Sequence, residues 1–311
     1  MYDIVGDIHG YAAVLQRLLV KLGYAEDGGV WQHPQRKVIF LGDFVDRGPE
    51  QLEVIDIAKR MVEAGHALAV MGNHEFNAVA WATADDARPG EFLRSHSSKN
   101  RHQHAAFLNQ IVEGSTAHQE AIAWFKTLPL FLDLDGLRVV HACWHPAHLQ
   151  ILSSHIDKRN RVKTESWPAL CSEGGAPFEA LETILKGMEI PLPTGVEYRD
   201  KDGHLRRRTR THWWQSKEGL TYRELAMVPP ELVEQIPHEP VPQGLQPGYD
   251  GIKPLFIGHY WMSGVPNLLS DHIACLDWSI AGSKAASAKL CAYRWSGEGV
   301  LSTDNLVWVA R

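Results

Sequence analysis

The chain has 311 residues, 44% apolar and 22% charged, enough to bury a substantial core and too apolar for default disorder. Its 31 basic and 37 acidic residues leave a net charge of −6, which argues against coating nucleic acid through bulk charge. Cys143, Cys171, Cys275 and Cys291 form no CxxC pair, which excludes a disulfide scaffold and a zinc ribbon and fits a reducing compartment.

In chain order, the first half alternates strand and helix. Tyr2 to Val5 is a short apolar run, and Tyr11 to Leu22 has helical spacing. Val38 to Leu41 is a buried-type strand, Leu52 to Ala64 a second helix, and Ala67 to Met71 a third strand. This order predicts parallel strands with crossover helices. Residues 80–128 read as helical, with a polar stretch from Arg94 to His102. Leu130 to Leu134 and Leu137 to His141 flank Asp135-Gly136, a hairpin turn. Residues 150–250 are weakly patterned and contain the basic run Arg206 to Arg210, followed by His212-Trp213-Trp214. Val228 to Pro254 reads as a long surface connection. Leu255 to Ile257, Ile273 to Trp278, Leu290 to Trp295 and Leu306 to Val309 read as strands. No apolar run approaches the ~18 residues of a membrane span, and Met1-Tyr2-Asp3 lacks the pattern of a secretory signal. No membrane partner and a cytoplasmic location are expected.

Five polar clusters follow strand-like runs: Gly6-Asp7-Ile8-His9-Gly10, Gly42-Asp43-Phe44-Val45-Asp46-Arg47-Gly48-Pro49, Gly72-Asn73-His74-Glu75, His141 and Gly258-His259. In open α/β sheets, ligands gather at the carboxyl ends of strands, so the clusters can converge on one edge. Oxygen from Asp and Asn with nitrogen from His suits manganese, iron or zinc without a thiolate. Asp43 has two carboxylate oxygens and can bridge two cations. A metal pair about 3.5–4 Å apart is a clamp for in-line phosphoryl displacement.

GDIHG, GDFVDRGP and GNHE, in this order, resemble the calcineurin-like metallophosphoesterases, and within them the phosphoprotein-phosphatase (serine/threonine phosphatase) branch. The likeness extends to Val139-Val140-His141-Ala142, Gly258-His259 and Ile273-Ala274-Cys275-Leu276-Asp277. It implies an α/β fold with two facing mixed β-sheets flanked by helices, in four layers. One domain over residues 1–311 would carry an inserted cap at 148–253. It also implies two divalent metal ions, manganese first, with iron or zinc as alternatives. Asp7 and His9 would hold the first metal, Asp43 would bridge, and Asn73, His141 and His259 would hold the second. His74 would protonate the leaving group, oriented by Asp46, and Arg47 would grip the phosphate. By the same resemblance, a metal-bridging hydroxide attacks phosphorus directly, with no covalent enzyme intermediate.

The expected function is hydrolysis of phosphomonoesters on a phosphorylated protein or nucleotide. The alternatives are a symmetrical dinucleoside-tetraphosphate hydrolase and a nucleic-acid-end phosphatase, since Arg206 to Arg210 could attract nucleic acid locally. One departure is Gly258-His259-Tyr260-Trp261, where many superfamily members have GHxH with a further ligand. A scaffold that had lost its metals would carry substitutions at ligand positions, and apart from Trp261 there are none. Arg210 is expected to supply a second phosphate clamp. Trp213 and Trp214 could stack a base, although buried packing is the commoner fate of such residues. His145 and His148 are expected to pack, and His96, His102 and His104 to lie in a solvated polar loop beside the cleft rather than bind a third metal.

Overall fold

The computed structural model describes the whole chain except residues 200–202, 216, 243 and 283–286. Its strands are β1 (Tyr2–Val5), β2 (Ala25–Asp27), β3 (Val30–Gln32), β4 (Lys37–Phe40), β5 (Ala67–Ala69), β6 (Phe131–Asp133), β7 (Arg138–Val140), β8 (Glu189–Pro191), β9 (Tyr198–Arg199), β10 (Leu205–Arg206), β11 (Arg208–Arg210), β12 (Leu255–Ile257), β13 (Ile273–Cys275), β14 (Asp277–Trp278), β15 (Lys289–Trp295) and β16 (Leu306–Ala310). Its helices are α1 (Ala12–Leu22), α2 (Gln51–Glu63), α3 (Asn73–Ala82), α4 (Ser98–Gln103), α5 (Ala105–Leu108), α6 (Thr116–Phe125), α7 (Pro146–Leu152), α8 (Trp167–Cys171), α9 (Ala176–Lys186) and α10 (Tyr222–Leu225).

Two mixed sheets face each other. The first runs β14-β15-β1-β4-β5, with β16 also on β15. Strands β1, β4 and β5 are parallel, because α1 and α2 cross back between them, and β15 is antiparallel to β1. The second runs β13-β12-β7-β6, with β12 parallel to both neighbours and the β6–β7 hairpin antiparallel. Ile4 and Ile39 of the first sheet, with Val70 just after β5, share a buried cluster with Val139, Phe256 and Ala274 of the second. Each such side chain contributes roughly 1.5–3 kcal/mol on burial. The outer face of the first sheet is covered by α1, which buries Val14, Leu15, Leu18 and Leu22 at helical spacing.

Two expectations are corrected. Ile273 to Trp278 is two strands, not one. The chain leaves β13 in the second sheet and enters β14 in the first, turning at Leu276, whose N–H donates to Ile257 O at 2.8 Å. The helical reading of 80–128 breaks after Ala82, where Pro89 and Gly90 cannot continue a helix. The loop folds back instead, and Arg94 N–H donates to Ala80 O at 3.0 Å. Within 148–253, Leu152, Leu170, Leu181 and Ile184 belong to the main core. Ile190, Tyr198, Tyr222 and Ile236 form a smaller core of their own. Val228 to Pro254 holds one 3₁₀ turn, Pro230–Gln235, and no strand or α-helix among its described residues.

A buried ion pair ties the first sheet together. Asp3 is fully buried, and Arg36 Nε donates to both its oxygens at 3.0 and 2.9 Å. Arg36 also donates to the carbonyls of Tyr2 and Trp295, so one guanidinium joins β1, β15 and the approach to β4. Arg36→Met should therefore cost about 3 kcal/mol of unfolding free energy, since Asp3 would keep its burial and lose the guanidinium N–H shared by both its oxygens. Urea denaturation measures this, and a change below about 1 kcal/mol would mean the pair is dispensable.

Candidate active site

The functional side chains stand where parallel strands end. Asp7 and His9 follow β1, and Asp43, Asp46 and Arg47 follow β4. Asn73 and His74 open α3 after β5, His141 follows β7, and His259 follows β12. Parallel strands share one carboxyl edge, so residues from both sheets meet there.

Asp43 is the hub. Its Oδ2 lies 3.7 Å from His9 Nε2, 3.9 Å from His74 Nε2 and 3.4 Å from His141 Nε2. Its Oδ1 accepts the His74 backbone N–H at 3.1 Å. Asn73 Oδ1 lies 3.2 Å from His141 Nε2 and 2.8 Å from His259 Nδ1. His9, Asp43 and His74 form one group whose donor atoms lie within 4.8 Å of one another, and Asp43, His141 and His259 form a second. Asp7 lies outside the first group; its Oδ2 accepts the His259 N–H at 3.0 Å.

Four observations fit this donor set to divalent cations. His9 Nδ1 meets Val45 O at 3.0 Å and His141 Nδ1 meets Leu41 O at 2.7 Å, so each ring keeps its proton there and turns the Nε2 lone pair inward. Asp7 Oδ1 and His9 Nε2 are buried without a hydrogen-bond partner. A Cβ at Gly258 would run into Asp7 Oδ1, so only glycine leaves that oxygen its space. The 3.4–3.9 Å separations around Asp43 Oδ2 are close to the roughly 3–3.5 Å between two ligand atoms that each bond a metal at about 2.1 Å.

The electrostatics agree. Burial, then the charges of Asp277 and Asp43, push the Asp7 carboxyl well up. Burial pushes Asp277 to about 6 and Glu75 to about 7. Burial pulls His9 down to about 4, and burial together with Arg210 pulls His259 well down. Burial opposes protonation of His141, but the charge of Asp43 and the hydrogen bond to it raise His141 to about 10. Crowded buried carboxylates are stabilised by an added cation.

The supporting residues lie one layer further out. Glu75, fully buried, accepts the N–H groups of Asp43 and Phe44, both at 2.8 Å, and of Gly72 at 3.0 Å. One carboxylate thus fixes the turns after β4 and β5 together. Asp46 accepts from His74 Nδ1 at 2.6 Å and from His104 Nδ1 at 2.8 Å. Burial alone would raise the Asp46 carboxyl, but these two hydrogen bonds hold it well below its ordinary range. The solvated-loop expectation for 96–104 is therefore corrected. His104 is buried against Asp46, and His96 stacks between Trp81 and Phe92; His102 alone is exposed. The reason is the folded-back loop, which carries α4 onto α3.

Two arginines reach the site. Arg47 is exposed, with its guanidinium 4.7 Å above the Trp261 ring. Arg210, at the end of β11, places Nη1 3.3 Å from His259 Nε2. Trp213 and Trp214 cannot stack a base, because they are 0% and 9% exposed, and Trp213 Nε1 donates to Tyr260 Oη at 2.8 Å. The exposed aromatic at the mouth is Trp261. His145 and His148 stack on each other at the start of α7. Of the supporting groups, Glu75 and Asp277 sit inside motifs, whereas nothing local marks His104.

Glu75→Gln keeps the shape but leaves one oxygen for several N–H groups. Divalent-metal affinity should fall about 10- to 100-fold. Calorimetric titration of the apoprotein with manganese measures this; unchanged affinity would mean that the two turns hold their shape without Glu75.

The comparisons with known proteins follow the geometry. A relative from Oceanobacillus iheyensis, named bis(5'-nucleosyl)-tetraphosphatase PrpE, asymmetrical, is 29% identical over 161 residues, 51% of this chain and 61% of that protein. The protein of the same name from Anoxybacillus flavithermus is 47% identical over 75 residues, 24% of this chain and 31% of its own length. The chain thus matches less than two thirds of either relative. A solved structure provisionally assigned as a diadenosine tetraphosphatase aligns over 99% of this chain and 92% of its own, with a TM-score of 0.50 at 16% identity, a likeness of fold. No helix among the described residues is long and apolar enough to cross a membrane. The model of the calcineurin-like phosphoesterase family matches residues 2–256, and the chain belongs to that family of metal-dependent phosphoester hydrolases.

Proposed function

We propose that the site uses two divalent cations to transfer a phosphoryl group from an ester or anhydride directly to water. The observation that carries this reading is the convergence of three histidine Nε2 atoms on Asp43 Oδ2 at 3.4–3.9 Å. Asp7, His9 and Asp43 would hold one cation, and Asp43, Asn73, His141 and His259 the other. Bound there, the cations would acidify a water and neutralise phosphoryl oxygens.

The remaining chemistry belongs to the chain. Arg47, against Trp261, and Arg210, against His259, would grip phosphoryl oxygens, with the planar forks that suit them. Water's oxygen joins phosphorus, the bond to the leaving oxygen breaks, and that oxygen needs a proton. His74 is the donor placed to supply it. Burial opposes its protonation, but the charge of Asp43 and the hydrogen bond and charge of Asp46 outweigh that and raise its pKa above the ordinary 6.5. The raised pKa favours the protonated form of His74. His104, on the other oxygen of Asp46, fixes the carboxylate that orients His74. The relatives' names support a nucleotide substrate, and the site's grip on a phosphoryl group suits phosphomonoesters equally.

The test is turnover of p-nitrophenyl phosphate by manganese-loaded protein. Chelation and Asp43→Asn should each abolish it. Asp46→Asn should lower kcat by about 10²-fold or more, the usual scale of general acid catalysis. It should also move the basic limb of the pH profile to lower pH, because His74 then loses its proton earlier. Full turnover by Asp43→Asn overturns the metal reading; an unmoved basic limb in Asp46→Asn overturns the role of His74. His104→Ala should cost about tenfold in kcat, the scale of one hydrogen bond to a charged group. An unchanged rate would reduce His104 to packing.

A further inference from the structure

A cavity of about 230 Å³ opens beside His74 and Arg47, and its far wall carries Arg94 and Lys186. Its volume is nearly eight times the roughly 30 Å³ share of a liquid water, room for a further phosphoryl group next to the one being transferred.

The far wall is built. Arg94 is only partly exposed, and its Nη2 donates to two neutral amide oxygens, Asn100 Oδ1 at 3.1 Å and Gln103 Oε1 at 2.8 Å. Among the described residues it has no ion pair, so its charge is positioned but not neutralised by direct contact. The backbone hydrogen bond from Arg94 to Ala80 anchors it to the end of α3. Lys186 ends α9 and pairs with Glu182, leaving two of its three ammonium protons available. Its place is set by Gly187, where a Cβ would collide with the Tyr260 hydroxyl, next in the chain to His259. A second cavity shares Lys186 and is lined by Arg208 and Arg210 together with Glu179, Glu182 and Glu189. Of the carboxylates near this wall, Glu182 pairs with Lys186, Glu189 with Arg210, and Asp46 with His74 and His104, while the exposed Glu179 lies at the second cavity.

We propose that Arg94 and Lys186 form a second phosphate subsite, and that the substrate carries at least two linked phosphates, as nucleoside polyphosphates do. The transferred phosphoryl group lies at Asp43, His74 and Arg47, and its neighbour along the chain lies between Arg94 and Lys186. A lone phosphomonoester fills only the first position. This inference rests on the phosphoryl-transfer reading of the main site.

The test compares one phosphate with several, on manganese-loaded protein at fixed free manganese. kcat/KM is measured for p-nitrophenyl phosphate and for diadenosine tetraphosphate, with inorganic tripolyphosphate and orthophosphate as competitors. Arg94→Gln and Lys186→Gln should each lower the diadenosine tetraphosphate to p-nitrophenyl phosphate ratio at least tenfold. Tripolyphosphate inhibition should weaken by a similar factor while orthophosphate inhibition holds. Equal losses on both substrates, or no loss on either, overturn the subsite. Lys186→Gln, at the partly exposed end of its helix, keeps the test open where Arg94→Gln fails to fold. If wild-type protein turns over neither substrate, the phosphoryl-transfer reading fails on its own. Calorimetric binding of tripolyphosphate to wild type and Lys186→Gln then decides the subsite separately: equal affinities overturn it, and a tenfold loss sustains it.

Discussion

Asp43 is a carboxylate buried where a carboxylate is costly. It is 2% exposed, with Asp7, Glu75 and Asp277 buried around it. Burial raises its pKa, yet His141, His74 and His9 together hold it down, so it stays charged. Its neighbours carry the strain, with Asp7 pushed well up and Glu75 to about 7. The protein answers with directed backbone N–H groups. Glu75 accepts from the turn that carries Asp43, and Asp277 accepts from Trp261 at 2.7 Å and Ser279 at 3.0 Å. Four acids in one dry pocket are tolerable only because each is hydrogen-bonded or faces an imidazole.

The backbone bears the same constraint. Among the described non-glycine residues, positive φ occurs at His9, Asp43, Asp46, Arg47, His259, Trp261, Asn160 and Ser279. The first six all lie at the site. Such conformations cost of order 1–3 kcal/mol each and persist where the surroundings over-determine them. Here the surroundings are two sheets that present strand ends to one edge. The sheet switch at Leu276 matters for this reason: it places Asp277 beneath the β12 turn that carries His259 and Trp261.

Much of this was legible in the chain, because the site is locally encoded. Each cluster of the form Gly-Asp-x-His or Gly-Asn-His-Glu holds its ligands and its turn-forming glycine within a few residues, and strand order does the rest. The supporting groups were not legible for the opposite reason. His104 reaches Asp46 across 58 positions, through a loop whose fold-back depends on contacts with α3. Its sequence surroundings are polar, so it read as solvated. Trp213 and Trp214 read as either core or lip, and only the packing of Tyr260 against them decides for core. The strand from Ile273 to Trp278 read as continuous because apolar residues on both sides of a sheet switch look like one buried run.

Trp261 shows how one substitution can serve two ends. The histidine that many members of the wider superfamily have there would add a ligand. The indole adds none, yet the Trp261 backbone N–H is fixed by Asp277, and the ring lies 6.0 Å from that of His9 and 4.7 Å from the Arg47 guanidinium. Arg47 is exposed and has no ion pair among the described residues, so without the ring it would sample many rotamers. A cation–π contact at an exposed site is worth about 0.5–1 kcal/mol, enough to bias an arginine toward one orientation. On the proposed reading, the site would forgo one metal contact and hold Arg47 in the orientation a phosphate clamp needs. That exchange suits a substrate whose charge is spread over several phosphates, where holding the anion in register matters as much as holding the cation.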